Sequence, residues 1–239
     1  MIIEGAISVK SAVLNHRRRI NKVYIDTDKT SKDFKFIINK LKDYGIKYTF
    51  VKRSVIDEIA TGKTHGGIIA DVDARLYQNI NSVKEDNIFV IDGIEDPFNV
   101  GYILRTLRAF GYKQVIFPRR DFSTMEATIL KSSAGAFDQM DVILSDNLYE
   151  DLSELKKTHR ILALSRSDEA KDVFDYQYNG KNVIMLGGEK RGIQKELMKL
   201  VDQEIFIDYP SDFRNALNAA SALSVMVTVL EMRKRDKHD

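Results

Sequence analysis

Three short polar segments, far apart in the chain, hold the residues whose types and spacing could do chemistry. They are Asp96-Pro97-Phe98-Asn99-Val100-Gly101 running on to Arg105, then Leu186-Gly187-Gly188-Glu189-Lys190-Arg191-Gly192, then Ala216-Leu217-Asn218. Each reads as a turn beside an apolar strand or helix, where α/β proteins keep their ligand sites. Asn99 and Arg105 are six residues apart, nearly two helical turns, so both could face one cleft. A guanidinium stays protonated above about pH 12 and is a poor general base by itself, but it can anchor a phosphate and thereby position a neighbouring hydroxyl. Gly187 and Gly188 have no Cβ, so their backbone could approach a ligand closely. Ordinary readings stand beside these: a helix cap for Asn99, a turn with φ > 0 for the glycine pair, a surface acid for Glu189, and core packing plus one solvated amide within an Ala-rich helix for Leu217-Asn218. The joint occurrence of all three segments at strand and helix ends favours the functional reading.

Several chemistries are excluded. The chain has no cysteine, and His16, His65, His159 and His238 are scattered, so disulfides, thiolate nucleophiles and a metal constellation are not expected. The first strand–helix turn of the second half lacks G-x-G-x-x-G. The only candidate P-loop, Gly187 to Gly192, continues with Ile193-Gln194 where Lys and Ser/Thr would be needed to hold phosphates and magnesium.

The elements that must position these residues follow from the pattern. At 239 residues, 44% hydrophobic and 30% charged, the composition is that of ordinary globular material. No apolar run approaches the roughly 18 to 20 residues of a membrane span, and the first residues lack a basic region followed by an apolar signal core, so a cytoplasmic protein is expected. Residues 1–76 alternate helix and strand: a helix over 7–15, a strand over 22–26, a helix over 32–44 with Phe34, Ile37, Ile38 and Leu41 on one face, a strand over 48–51, a helix capped by Ser54, and a strand near 66–72. Residues 77–87 are polar and aperiodic and read as a linker. From 88 onward, near-continuous apolar runs at 88–91, 114–117, 141–144, 160–164, 182–186 and 204–207 alternate with helical patterns, which indicates an α/β domain with a mostly parallel sheet covered on both faces.

The net charge of +2 conceals an asymmetry. Residues 1–80 carry 15 Lys and Arg against 9 Asp and Glu, and the remainder is acidic on balance. A polyanion would be drawn to the first third. Arg17, Arg18, Arg19 and Lys22 are its densest part and the candidate RNA-binding residues; a solvated helix end is the ordinary reading.

The order of the three segments resembles the TrmH/SpoU family of RNA ribose 2′-O-methyltransferases, within the knotted SPOUT superfamily. The resemblance is strong over 88–235 and looser over 1–75, where Glu4-Gly5 and Thr64-His65-Gly66-Gly67-Ile68 match the small N-terminal RNA-binding domain carried by rRNA-directed members; His65 is then a turn or RNA-contact residue. It implies a deep trefoil knot over 88–239, S-adenosylmethionine as cofactor, Gly187, Gly188, Ile207 and Leu217 as the cofactor-binding residues, and Asn99, Arg105, Glu189 and Asn218 as the catalytic set, with Arg105 engaging the target nucleotide. It also implies a homodimer through the C-terminal domain, with an apolar helix over 216–232 serving core and interface, and no metal. Two departures stand out. The family has Ile-Pro where this chain has Asp208-Tyr209, so the register at Ile207 is open, and Ser-Leu-Asn where this chain has Ala216-Leu217-Asn218. The attached N-terminal domain favours 23S rRNA as substrate; a tRNA-directed enzyme and a non-catalytic RNA-binding protein that keeps the fold are the alternatives.

Overall fold

The computed structural model describes residues 1–189, 191–213 and 215–235, so Lys190 of the glycine turn lies outside the described residues. The elements run β1 (Ile2–Glu4), α1 (Ala6–Asn15), β2 (Ile20–Asp26), α2 (Lys32–Asp43), β3 (Tyr48–Val51), α3 (Arg53–Ile59), β4 (Ile68–Val72), β5 (Asn87–Asp92), α4 (Pro97–Ala109) and β6 (Gln114–Pro118). They continue with α5 (Glu126–Ser132), α6 (Ala136–Gln139), β7 (Asp141–Ser145), α7 (Leu148–Leu155), β8 (Arg160–Leu164), β9 (Lys171–Asp172), β10 (Asn182–Gly187), α8 (Lys195–Met198), β11 (Gln203–Phe206) and α9 (Ala219–Arg235). Two compact units result: Met1–Leu76 with Asp121–Gln139, and Tyr77–Arg120 with the chain from Met140 onward. None of the described helices is long and apolar enough to cross a membrane.

The first unit holds a four-stranded sheet in the order β1-β4-β2-β3, with β4 antiparallel to both neighbours and β2 parallel to β3. Helix α2 buries Phe34, Ile37 and Leu41, the stripe that their spacing predicts. It stops at Gly45, whose φ of +64° lets Ile46 N–H return to the Leu41 carbonyl at 2.8 Å. Ser54 does not cap α3; the chain enters that helix from extended backbone at Lys52. His65 is buried in its turn. Its Nδ1 accepts from Gly67 N–H at 3.2 Å, which leaves Nε2 to donate to Asp57 Oδ1 at 2.7 Å.

A segment distant in sequence completes this unit. Between β6 and β7 the chain supplies α5 and α6, whose Glu126 and Asp138 are buried and accept from Arg18 Nη1 at 2.8 Å and Nη2 at 2.9 Å. The basic run had been expected to face RNA as a whole, and the structure removes Arg18 from it. Backbone bonds from Leu76 N–H to the Arg17 carbonyl and from Asp73 N–H to the Arg19 carbonyl tie this stretch, which bends at Arg17 and Arg18, to the residues after β4. Arg18 goes inward, where two carboxylates compensate its charge. Arg19 is exposed, Arg17 and Lys22 are half-buried, and Lys22 Nζ lies 4.9 Å from the Tyr24 ring centroid.

The second unit is built on seven strands in the order β7-β6-β5-β10-β8-β11-β9, every neighbouring pair parallel. Central strands β5 and β10 pair from Asn87 with Asn182 to Asp92 with Gly187, and they bury Ile88, Val90, Val183 and Met185. Helix α9 begins at Ala219, three residues later than the apolar pattern suggests, and packs against α4. Residues 77–87 are not a loose linker. Gln78 adds a parallel bridge beside Ile143, and the buried Gln114 side chain accepts from Lys84 N–H and Glu85 N–H while donating to the Ser82 carbonyl. A polar stretch lacks periodicity, yet its backbone finds partners at the sheet edge.

Candidate active site

The site lies in the second unit, at the carboxyl ends of β5 and β10. Strand β5 ends on Asp92, a buried carboxylate that accepts from Gln194 N–H and from Gln194 Nε2, both at 2.8 Å. This clamp closes the turn that begins at Gly187, together with Gly192 N–H to the Gly188 carbonyl at 2.8 Å. A Cβ on Gly187 would sit 2.3 Å from Gly192 C, and one on Gly188 would sit 2.2 Å from the Gly93 carbonyl oxygen. Neither glycine has positive φ; among the turn residues Gly93 and Gly192 do. The space left by the missing side chains is therefore filled by the chain's own backbone, a second reason for glycine at both positions beside the close approach to a ligand expected from the sequence.

Asn99 lies in the first turn of α4 but does not cap it. Asp96 is the cap, accepting from Phe98 N–H at 2.8 Å, with Pro97 at the first helical position. Asn218, by contrast, precedes α9, and its Oδ1 accepts from Ala220 N–H at 2.9 Å. Its amide nitrogen is left to bridge: Nδ2 donates to Glu189 Oε1 at 2.7 Å and to Asn99 Oδ1 at 3.0 Å, while Asn99 Nδ2 donates to Glu189 Oε1 at 3.2 Å. Side chains from three segments thus close one triangle of hydrogen bonds around a carboxylate. Such a closed set holds each amide in one orientation.

Beside this triangle opens a cavity of about 360 Å³, within the roughly 300–1,000 Å³ of small-molecule sites. Gly187, Gly188, Glu189, Ile207 and Leu217 line it, with Ile193, Ile205 and Ala216. All four expected cofactor residues are brought together. Tyr209, at the position where the family pattern has proline, accepts Leu217 N–H on its hydroxyl at 3.0 Å and so fixes the third segment against the cavity wall. Sequence reasoning missed Tyr209 and the end of β8, Leu164 to Arg166, which also lines the cavity. Their signal was position alone, at the carboxyl ends of parallel strands.

A second, more open cavity of about 340 Å³ lies on the other side of Asn99 and Asn218, lined by Tyr102, Thr106, Ser221 and Ser224. Ser221, one candidate to replace the hydroxyl missing at Ala216, lines this second cavity, whereas Ala216 lines the first. Arg105 is not brought to either cavity. Six residues along α4 amount to about 240° of rotation from Asn99. It is exposed and makes no ion pair among the described residues, Asp96 included.

The SpoU rRNA Methylase family matches residues 86–228, and a family of RNA 2′-O ribose methyltransferase substrate-binding domains matches residues 2–78. A 23S rRNA (guanosine-2′-O-)-methyltransferase, RlmB, of Haemophilus influenzae is 28% identical over 231 residues, covering 93% of this chain and 94% of that protein. The SpoU methyltransferase AviRb from Streptomyces viridochromogenes, solved with AdoMet, shares the fold with a TM-score of 0.79 at 17% identity, covering 99% of this chain and 91% of that one. A TrmH/SpoU tRNA-modifying enzyme of A. aeolicus matches with a TM-score of 0.59 at 20% identity, covering 65% of this chain and 78% of that one. With its methylase match spanning more than half of the sequence and the three motif segments joined through the hydrogen bonds of Asn99, Glu189 and Asn218, the chain belongs to the SpoU rRNA methylase family and is an RNA methyltransferase.

Proposed function

We propose that the protein methylates the 2′-hydroxyl of a ribose in 23S rRNA, using S-adenosylmethionine held in the cavity of Gly187, Gly188, Ile207 and Leu217. The observation that carries this reading is the Asn99–Glu189–Asn218 triangle at the edge of that cavity. Apolar walls from Ile193, Ile205, Ile207 and Leu217, with backbone groups of Gly187 and Gly188 between them, suit a nucleoside-bearing cofactor. When bound, the cofactor supplies a methyl group activated on a sulfonium.

The chain's own residues position the acceptor. Glu189 draws the amides of Asn99 and Asn218 into fixed directions, and the clamp of Asp92 on Gln194 keeps the turn carrying Glu189 closed. Arg105 anchors a phosphate of the target nucleotide through its planar fork. Its exposure, with no ion-pair partner among the described residues, suits a homodimer with sites shared between protomers, as the resemblance implies. A trefoil knot over the second unit is part of the same reading. The first unit binds the RNA, in line with the substrate-binding match over 2–78. Ribosomal RNA is favoured over tRNA by the attached substrate-binding domain and by the relative named for 23S rRNA, which covers 93% of the chain; relatives named for tRNA/rRNA cover 98%, and the assay below therefore includes both RNAs.

Transfer of label from methyl-labelled S-adenosylmethionine to purified 23S rRNA and to tRNA, followed by mapping of alkali-resistant ribose positions, tests this. Label confined to one 23S rRNA ribose is the expected result. Label only in tRNA would move the substrate, and cofactor binding without transfer to either RNA would favour the non-catalytic reading that Ala216 raises. Light scattering at micromolar concentration checks the dimer; a monomeric mass refutes it.

A further inference from the structure

Outside that site, the first unit carries a cavity of about 510 Å³ where the carboxyl ends of α1 and α2 meet the start of β2. Three departures from regular backbone surround it. His16 ends α1 in the left-handed region at φ 51°, uncommon for a residue with a Cβ. Gly45 ends α2 at φ +64°. The pairing of β2 with β4 shifts register between Ile20 and Lys22, which lifts Asn21 out of the ladder. Irregularities of this kind re-aim side chains, and here all three turn polar or aromatic groups onto one hollow.

The groups presented have a consistent chemistry. The Tyr44 ring is 44% exposed, and the His16 ring packs against it edge to face at 4.7 Å. Arg19 and Lys47 are exposed on the same cavity and make no ion pair among the described residues. The nearby acids are already engaged: Asp43 pairs with Lys40 at 2.9 Å, and Asp73 accepts from the Asn21 amide at 2.9 Å. Lys40 Nζ lies 5.8 Å from the Tyr44 centroid, and the rest of this ring is exposed on a cavity with two uncompensated cations, the arrangement that receives an unstacked base and its phosphate.

We propose that this cavity seats one unstacked nucleotide of the RNA substrate, with its base on Tyr44 and its phosphate on Arg19 and Lys47; this rests on the RNA-directed function proposed above. The site holds the RNA at a point separate from the reacting ribose, so it acts on RNA affinity and leaves the methyl-transfer step alone.

Anisotropy titrations of a labelled 23S rRNA fragment with the full chain test it, alongside calorimetric S-adenosylmethionine titrations. Tyr44→Ala should weaken RNA binding by about 5- to 140-fold, as expected for removing one stacked base, while Tyr44→Phe stays near wild type. The double variant Arg19→Ala/Lys47→Ala should reduce the slope of log affinity against log salt by about 1.4, two single-strand phosphate contacts at roughly 0.7 each. All three variants should keep wild-type cofactor affinity, thermal midpoint and rate at saturating RNA. RNA affinity within about twofold of wild type in both Tyr44→Ala and the double variant, with a wild-type protein that binds and methylates RNA, overturns the nucleotide site alone. A wild-type protein that neither binds nor methylates RNA overturns the proposed function itself, and this inference with it.

Discussion

Gly188→Ala separates two reasons for having glycine beside a cofactor cavity. The added Cβ would lie 2.2 Å from the Gly93 oxygen and 2.7 Å from the Gly93 carbonyl carbon, against an ordinary contact of 3.4–4 Å. Gly93 would have to retreat by about 1.2 Å, and since both partners are backbone, no side-chain rotation relieves the clash. The retreat pulls on Asp92, the adjoining residue, and on its two bonds to Gln194. Overpacking of this kind costs about 1–3 kcal/mol. For a chain of this size that corresponds to a fall of about 2–12 °C in thermal midpoint. The measurement is made on the protein without cofactor, by calorimetry or circular dichroism, and repeated with saturating S-adenosylmethionine. If the glycine served only to admit a ligand, the cofactor-free midpoint would stay within about 1 °C of wild type while cofactor affinity fell. That result would refute the argument that the turn's own backbone fills the space.

Arg105→Ala should abolish methyl transfer in single-turnover assays with cofactor affinity retained, and Arg105→Lys should be severely impaired, because a point-like ammonium lacks the planar fork; near-normal rates in both would remove Arg105 from the mechanism. Arg18→Met should destabilise the first unit by about 3–5 kcal/mol, since two buried carboxylates, Glu126 and Asp138, would then share Arg75 alone, whereas Arg19→Ala should change stability by less than about 0.5 kcal/mol and instead weaken RNA binding; denaturant titration and anisotropy check the pair. Glu4 is expected to contribute acid-sensitive stability. Burial raises its pKa, but hydrogen bonds from Gly62 N–H and from the Thr61 hydroxyl and N–H, with Lys131 nearby, outweigh this and leave it lowered from 4.5. A lowered folded pKa means that the contribution is present above the unfolded value and is lost as pH falls through the folded one, so Glu4→Gln should remove that part of the stability–pH profile; an unchanged profile below pH 5 counts against it.

Much of the architecture was legible because burial on both faces leaves a continuous apolar run. The strands at 88–91, 160–164 and 182–186 were readable to within a residue, and α2 announced itself through the stripe of Phe34, Ile37 and Leu41. Residue type and order were also enough to pick out Asn99, Glu189 and Asn218, although their separations of 90, 29 and 119 residues contain no geometry. That they close on one carboxylate is decided by the parallel pairing of β5 with β10 and by α9 starting only at Ala219, which frees Asn218 to cap and bridge at once.

Other features depend on partners that no local pattern names. Arg17, Arg18 and Arg19 are alike in sequence, and only the bent backbone held to Asp73 and Leu76 turns the middle one inward to acids more than a hundred residues away. The glycines at 187 and 188 read in sequence as a turn with φ > 0 or as a close approach to a ligand; neither has positive φ, and only where Gly93 and Gly192 lie shows that the chain's own backbone meets an added Cβ there. Local propensity and hydrophobic period determine elements and motifs, because both act over a few residues. Which charges are compensated, which backbones touch and which side chains meet are long-range terms, and those belong to the tertiary structure alone.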